Sequence, residues 1–184
     1  MRKPIKKYEV LSLKVPFSWI EKITTGISVL LVIGLVAATI LLYPRIPHQI
    51  PTHFDALGQP DKTGSKTLLL IVPAMAVVIC SYMLSLGLSS KFYNSARNAP
   101  ETIRQQFILV RKLVLSMNLV IALLMIYIQS SAISIAAGLI QDLGVLPLVI
   151  FVIMIFTPLL VFLKKSRALR HLPARKTSKG KHQK

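Results

Sequence analysis

Four uninterrupted apolar runs, residues 23–43, 67–88, 113–133 and 145–163, contain no Asp, Glu, Lys, Arg or His. A hydrocarbon core about 30 Å thick needs roughly 20 helical residues at 1.5 Å each, and each run meets that length. Inside lipid every peptide group must be satisfied within the protein, which leaves only helices and closed barrels. Continuous apolar runs lack the alternation of a barrel strand, so the sequence predicts helices. Charged residues make up 16% of the chain against about 25% in soluble domains, too few to wrap this much apolar surface in water. The first run exceeds a secretory h-region and ends at Tyr43-Pro44 instead of a small-x-small cleavage site. The expected fold class is an all-α integral membrane protein: four transmembrane helices with a short extracellular proline-rich loop or hairpin.

The net charge of +17 would suggest nucleic acid in a soluble protein, but its placement points elsewhere. Of the 23 Lys and Arg, all but Arg45, Lys62 and Lys66 fall on one side of the four runs. The positive-inside bias therefore predicts that both termini are cytoplasmic. The expected order is a basic cytoplasmic segment 1–22, helix 23–43, an extracellular motif loop 44–66, helix 67–88 and a cytoplasmic connection 89–112. Helix 113–133, a short extracellular loop 134–144, helix 145–163 and a basic cytoplasmic tail 164–184 complete it. Lys164, Lys165 and Arg167 would sit against anionic headgroups, so the bilayer is the expected partner and nucleic acid is not. The single cysteine, Cys80, lies in an apolar run and reads as a small packing residue.

Small residues four apart, Gly34 and Ala38, Ser81 and Ser85, Ser130 and Ser134, are expected to let helix backbones approach in lipid. Gln129 lies near the outer end of the third run, within reach of headgroups or water, whereas Asn118 should find a partner inside the bundle. Pro73 and Pro158 each remove a backbone donor and predict kinks, with Thr157 placed to satisfy a freed carbonyl. Pro100 and Glu101 suit a helix start, implying a cytosolic extension of the third helix. The runs hold no ionisable relay, which argues against an ion-coupled transporter acting alone.

The remaining chemistry is concentrated in residues 44–66. Pro44, Pro47, Pro51 and Pro60 fix φ and deny helix, so 44–51 is expected to be extended or turned. Thr52 to Asp55 reads as a short strand and Leu57-Gly58-Gln59-Pro60 as a turn. Asp61 is expected to fix that turn or cap the following helix.

The string held by Pro47, Ile50, Pro51, His53, Phe54, Gly58, Pro60, Asp61, Gly64, Ser65 and Lys66 resembles the signature of the membrane family called domain of unknown function 1648. That domain also forms the front part of SdpI-like toxin-immunity and signalling proteins. The resemblance covers about the first half of the chain and implies a bacterial plasma-membrane protein related to ones that protect cells from secreted antimicrobial peptides. It marks Pro47, Pro51, His53, Phe54, Gly58, Pro60, Asp61, Gly64 and Lys66 as the ligand-binding or structural motif.

His53 and Asp55 would share one face of a strand, and His48 or Asp61 could join them, giving weak candidates for a metal site without any standard zinc spacing. The alternative is that these side chains satisfy loop carbonyls, cap the turn, or pair with Lys66 and Arg45. The sequence has no Gly-x-Ser-x-Gly elbow, His-Glu-x-x-His helix or paired buried carboxylates. No catalytic residue and no cofactor are therefore expected. The leading expectation is a non-enzymatic protein that recognises an extracellular peptide through the loop, in immunity or signalling. Alternatives are a metal-dependent loop site and an accessory subunit of a transporter with a membrane or cytosolic protein partner.

Overall fold

A computed structural model describes residues 16–89, 100–142 and 144–170. The readings of residues 1–15, 90–99 and 171–184, including most of the basic N-terminal segment and tail, lie outside the described residues.

Helix α1, Trp19–Leu42, opens on a reciprocal cap. The Ser18 amide donates to Glu21 Oε2 at 2.7 Å, and the Glu21 amide donates to Ser18 Oγ at 3.4 Å. Two donors that the first turn leaves unpaired are thereby satisfied. A 3₁₀ turn at Tyr43–Arg45 follows, then strands β1, Gln49–Phe54, and β2, Pro60–Ser65. A second 3₁₀ turn, Lys66–Leu70, leads into α2, Ile71–Leu88. Helix α3 runs from Pro100 to Ala136 and α4 from Leu146 to Arg170.

Four helices are long and apolar enough to cross a membrane, and the sheet among the described residues is a two-stranded antiparallel one between the first two of them. With 37 residues, α3 is about 55 Å long, well beyond the roughly 30 Å that a membrane crossing needs. Near its far end from Pro100, Ala132 packs beneath the hairpin. Helix α3 is also the hub: α1, α2 and α4 all pack on it, and β1 sits against it. At Gly138, φ +72°, α3 stops in a Schellman turn, with the Gly138 amide donating to Ile135 O and the Leu139 amide to Ser134 O.

Close helix approach occurs at a glycine outside the small-residue pairs. A Cβ on Gly87 would meet Leu115 Cδ2 at 2.9 Å, so α2 and α3 are in contact there. A Cβ on Gly34 would meet nothing within 4 Å, and that residue lines an open groove between α1 and α3. Pro73 falls in the first turn of α2, where no intrahelical donor is lost, and the helix changes from 3₁₀ to α just before it. Pro158 is interior to α4, but Thr157 Oγ1 donates to Ile153 O at 2.8 Å and not to the carbonyl that Pro158 frees, that of Met154.

Candidate functional site

The hairpin at residues 43–70 is built on its own turn chemistry. Asp55 Oδ1 accepts from the Leu57 and Gln59 amides, both at 2.9 Å, while the Gly58 amide donates to Asp55 O at 3.0 Å. Gly58 takes φ +82°, a left-handed conformation that a side chain would strain. Asp55 therefore fixes the turn, the role expected of Asp61. Ser65, whose Oγ accepts from the Thr67 amide at 3.3 Å, caps the segment leading to α2. Asp61 instead lies in β2, where its Oδ1 stands 2.6 Å from His53 Nδ1. The pair is open to solvent, with side chains 61% and 42% exposed.

The strands pair Gln49 with Ser65, Ile50 with Gly64, Pro51 with Thr63, His53 with Lys62 and Phe54 with Pro60. The register slips around Thr52, and at Gly64 the backbone passes so close to Thr52 that an added Cβ would lie 2.9 Å from its Cγ2. Glycine serves closeness there and not backbone angle, since a side chain at this position would have to displace the Thr52 and Leu68 side chains. Pro47 and Pro60 are exposed and Pro51 half-buried.

One side of the hairpin is fastened to the bundle. Ile46 and Ile50 are buried with Leu69 and Ala132, and Ile133 and Ala136 pack against this cluster. Burying each large aliphatic side chain contributes about 1.5–3 kcal/mol. Lys66 adds three ties: its amide donates to His48 O at 3.0 Å, its Nζ to Ile46 O at 3.4 Å, and its ammonium lies 4.8 Å from the centre of the Tyr43 ring. It braces the neck of the hairpin, and no pairing with His53 or Asp61 is made.

Beneath the hairpin, Gln129 is 1% exposed. Its Nε2 donates to Thr39 Oγ1 at 3.1 Å and to Leu69 O at 3.0 Å, joining α1, the 3₁₀ turn before α2, and α3. Proximity to the helix end suggests headgroups or water for this residue; instead it is buried and bonds to Thr39 and Leu69. Asn118, in mid-helix, is buried, but its Oδ1 has no hydrogen-bond partner. It faces Ser28, Cys80 and Ser81 across a cavity of about 230 Å³.

A second polar knot lies at the opposite end. Arg111 Nε donates to Glu21 Oε1 at 2.8 Å and its Nη2 to Glu21 Oε2 at 3.0 Å, both side chains being 3% exposed. Nη2 also reaches Pro16 O at 3.0 Å, and the guanidinium lies over the Phe17 and Phe107 rings at 4.4 and 5.4 Å. Planar, two-pronged pairing and ring stacking are what arginine provides and lysine does not. Sequence reasoning missed this pair because both residues stand just outside the charge-free runs. The available signal was the Ser18-x-x-Glu21 capping box, which placed an acid at the start of α1.

Among the described residues, no three His, Cys, Asp or Glu side chains gather closely enough to hold a metal ion. Of the four weak metal candidates, the structure brings His53 and Asp61 together, commits Asp55 to the turn, and leaves His48 exposed.

Residues 29–77, from mid-α1 through the hairpin into α2, match the family model described as Domain of unknown function (DUF1648). The motif's resemblance to that family thus holds over a narrower stretch than half the chain, and no comparison shows the SdpI-like resemblance. An Archaeoglobus fulgidus protein named "Uncharacterized protein" is 50% identical over 36 residues, covering 20% of this chain and 20% of that protein. No solved structure matches.

Proposed function

We propose that this chain is a non-enzymatic multi-pass protein of the plasma membrane whose hairpin faces outward and recognises an extracellular ligand, an antimicrobial peptide being the leading class, in immunity or sensing. The observation that carries this reading is the division of the hairpin into an anchored neck and an exposed outer part. Ile46, Ile50 and Lys66 lock the neck to the bundle, while His53, Asp61, Lys62 and Thr63, nearer the turn, stay exposed. A polar surface held on a braced scaffold loses little entropy on binding. The edge of β2 away from β1, which pairs with no other strand among the described residues, suits an extended peptide that can add backbone hydrogen bonds to it. The distribution of Lys and Arg supports the sidedness, since Arg45, Lys62 and Lys66 are the only basic residues between the first two spans.

The test is deletion of the gene, challenge with a panel of secreted antimicrobial peptides, and complementation with wild type or a His53→Ala/Asp61→Ala variant. Increased sensitivity restored by wild type and not by the variant supports the reading. Unchanged sensitivity across the panel overturns immunity.

A second reading, an accessory subunit, is favoured by α4, whose most apolar stretch has no buried residue. Recovery of a defined partner with the tagged protein from mild detergent, lost when α4 surface residues such as Phe156 are made polar, would support it.

A further inference from the structure

At the end of the bundle away from the hairpin, α3 and α4 diverge around two lysines. Lys112 on α3 and Lys165 on α4 both line a groove of about 500 Å³ that runs toward the hairpin end past Ser116, Val120, Pro158 and Ile153. The same two lysines line a second hollow of about 340 Å³, which continues the other way past Gln105 and Ala168. Apart from the lysines, the long groove is lined by apolar side chains and hydroxyls, with no acidic residue. Both lysines are exposed, and neither forms an ion pair among the described residues.

The geometry points to a binding site for one anionic phospholipid, with an acyl chain in the long groove and the phosphate between Lys112 and Lys165. Length separates this occupant from a partner helix. From Lys165 to Ile153 the groove follows α4 for about 18 Å, and from Leu109 to Val120 it follows α3 for about 16 Å. Both are close to one leaflet, about 15 Å, whereas a spanning helix would need about 30 Å of contact. Charge selects the headgroup. Two unpaired ammonium groups at the mouth of an apolar slot complement a net negative phosphodiester and gain less from a zwitterionic one. Lys164 and Arg167, which flank Lys165 within one turn of α4, do not line either hollow, which distinguishes a built site from diffuse attraction by basic residues.

The experiment is native mass spectrometry of the full chain in mild detergent, titrated with dioleoyl phosphatidylglycerol, dioleoyl phosphatidylcholine or inorganic phosphate. One phosphatidylglycerol should be retained in preference to phosphatidylcholine, and inorganic phosphate should give no adduct. Lys112→Gln/Lys165→Gln should weaken retention by about 30-fold, corresponding to about 1 kcal/mol per lysine near a membrane surface. Lys164→Gln/Arg167→Gln should leave it within about twofold, and Ser116→Phe, which keeps both charges and fills the groove, should abolish it. Equal retention of the two lipids, or equal loss in the two lysine and arginine pairs, would overturn the site. So would undiminished binding to Ser116→Phe.

Discussion

Glu21 and Arg111, 90 residues apart in sequence, are joined by two hydrogen bonds of 2.8 and 3.0 Å where the start of α1 meets α3. The carboxylate serves two purposes, since the oxygen that receives Arg111 Nη2 also accepts from the Ser18 amide and hydroxyl. Folding of the first turn of α1 and its docking on α3 therefore use the same atoms.

Removing one partner leaves the other charge buried. Arg111→Met should lower stability by about 3–5 kcal/mol, whereas Glu21→Met/Arg111→Met should recover much of the loss, because paired apolar replacements are often near neutral. A double-mutant cycle from thermal melts in detergent checks this, and a double variant less stable than either single one would contradict it.

Gln129 supports a similar argument at the other end. Gln129→Leu removes two donated hydrogen bonds and leaves Leu69 O buried without its donor, at an expected cost of about 1–3 kcal/mol. Thr39→Val removes one of them and the Thr39 Oγ1 bond to Leu35 O, but that carbonyl keeps its helical amide donor and Gln129 keeps Leu69 O, so it should cost less. The two changes should be non-additive, since they share the 3.1 Å bond between Nε2 and Oγ1.

These two residues also show where sequence reasoning stops. The four spans were legible because lipid imposes a length and forbids charge, and both constraints are local in the chain. The hairpin was legible because prolines and Gly58 restrict φ residue by residue. Which carboxylate served which purpose was not, because Asp55 and Asp61 differ only in where the strand register puts them. Gln129 escapes residue counting for the same kind of reason: its depth follows from its place in the run, but its partners, Thr39 and Leu69, come to it from other parts of the chain. Glu21 and Arg111 needed a tertiary contact to meet at all.

Two glycines separate helix packing from helix propensity. Gly87→Ala would place a methyl 2.9 Å from Leu115 Cδ2, and Leu115 is fully buried, so a loss of about 1–3 kcal/mol is expected. Gly34→Ala has open space and should be neutral or stabilising by up to about 1 kcal/mol. Melting both variants in the same detergent decides the matter; a destabilised Gly34→Ala would mean that another helix occupies its groove.

In the hairpin, Asp55 and Asp61 should respond differently to truncation. Asp55→Ala frees the Leu57 and Gln59 amides, and hydrogen exchange at these two positions should accelerate by about tenfold or more, in line with a loss of about 1.4 kcal/mol or more. Asp61→Ala breaks an exposed pair worth about 0–1 kcal/mol and should leave both amides protected. Comparable exchange in the two variants would refute this division of labour.

The sidedness on which the recognition proposal depends can be read with one background substitution, because Cys80 is the chain's single cysteine. Cys80→Ser carries no thiol to label, and in α2 its hydroxyl can bond a carbonyl one turn back, so the variant should fold. On that background Thr63→Cys places a thiol on the exposed side of β2, and Lys164→Cys places one on exposed α4 near the opposite end. A membrane-impermeant maleimide applied to intact cells should label Thr63→Cys and spare Lys164→Cys until the cells are broken, because Lys and Arg concentrate at the α4 end and the positive-inside bias assigns that end to the cytoplasm. The reverse pattern would place the hairpin inside the cell, where it could meet no secreted peptide, and would require a cytoplasmic ligand for the same exposed strand edge.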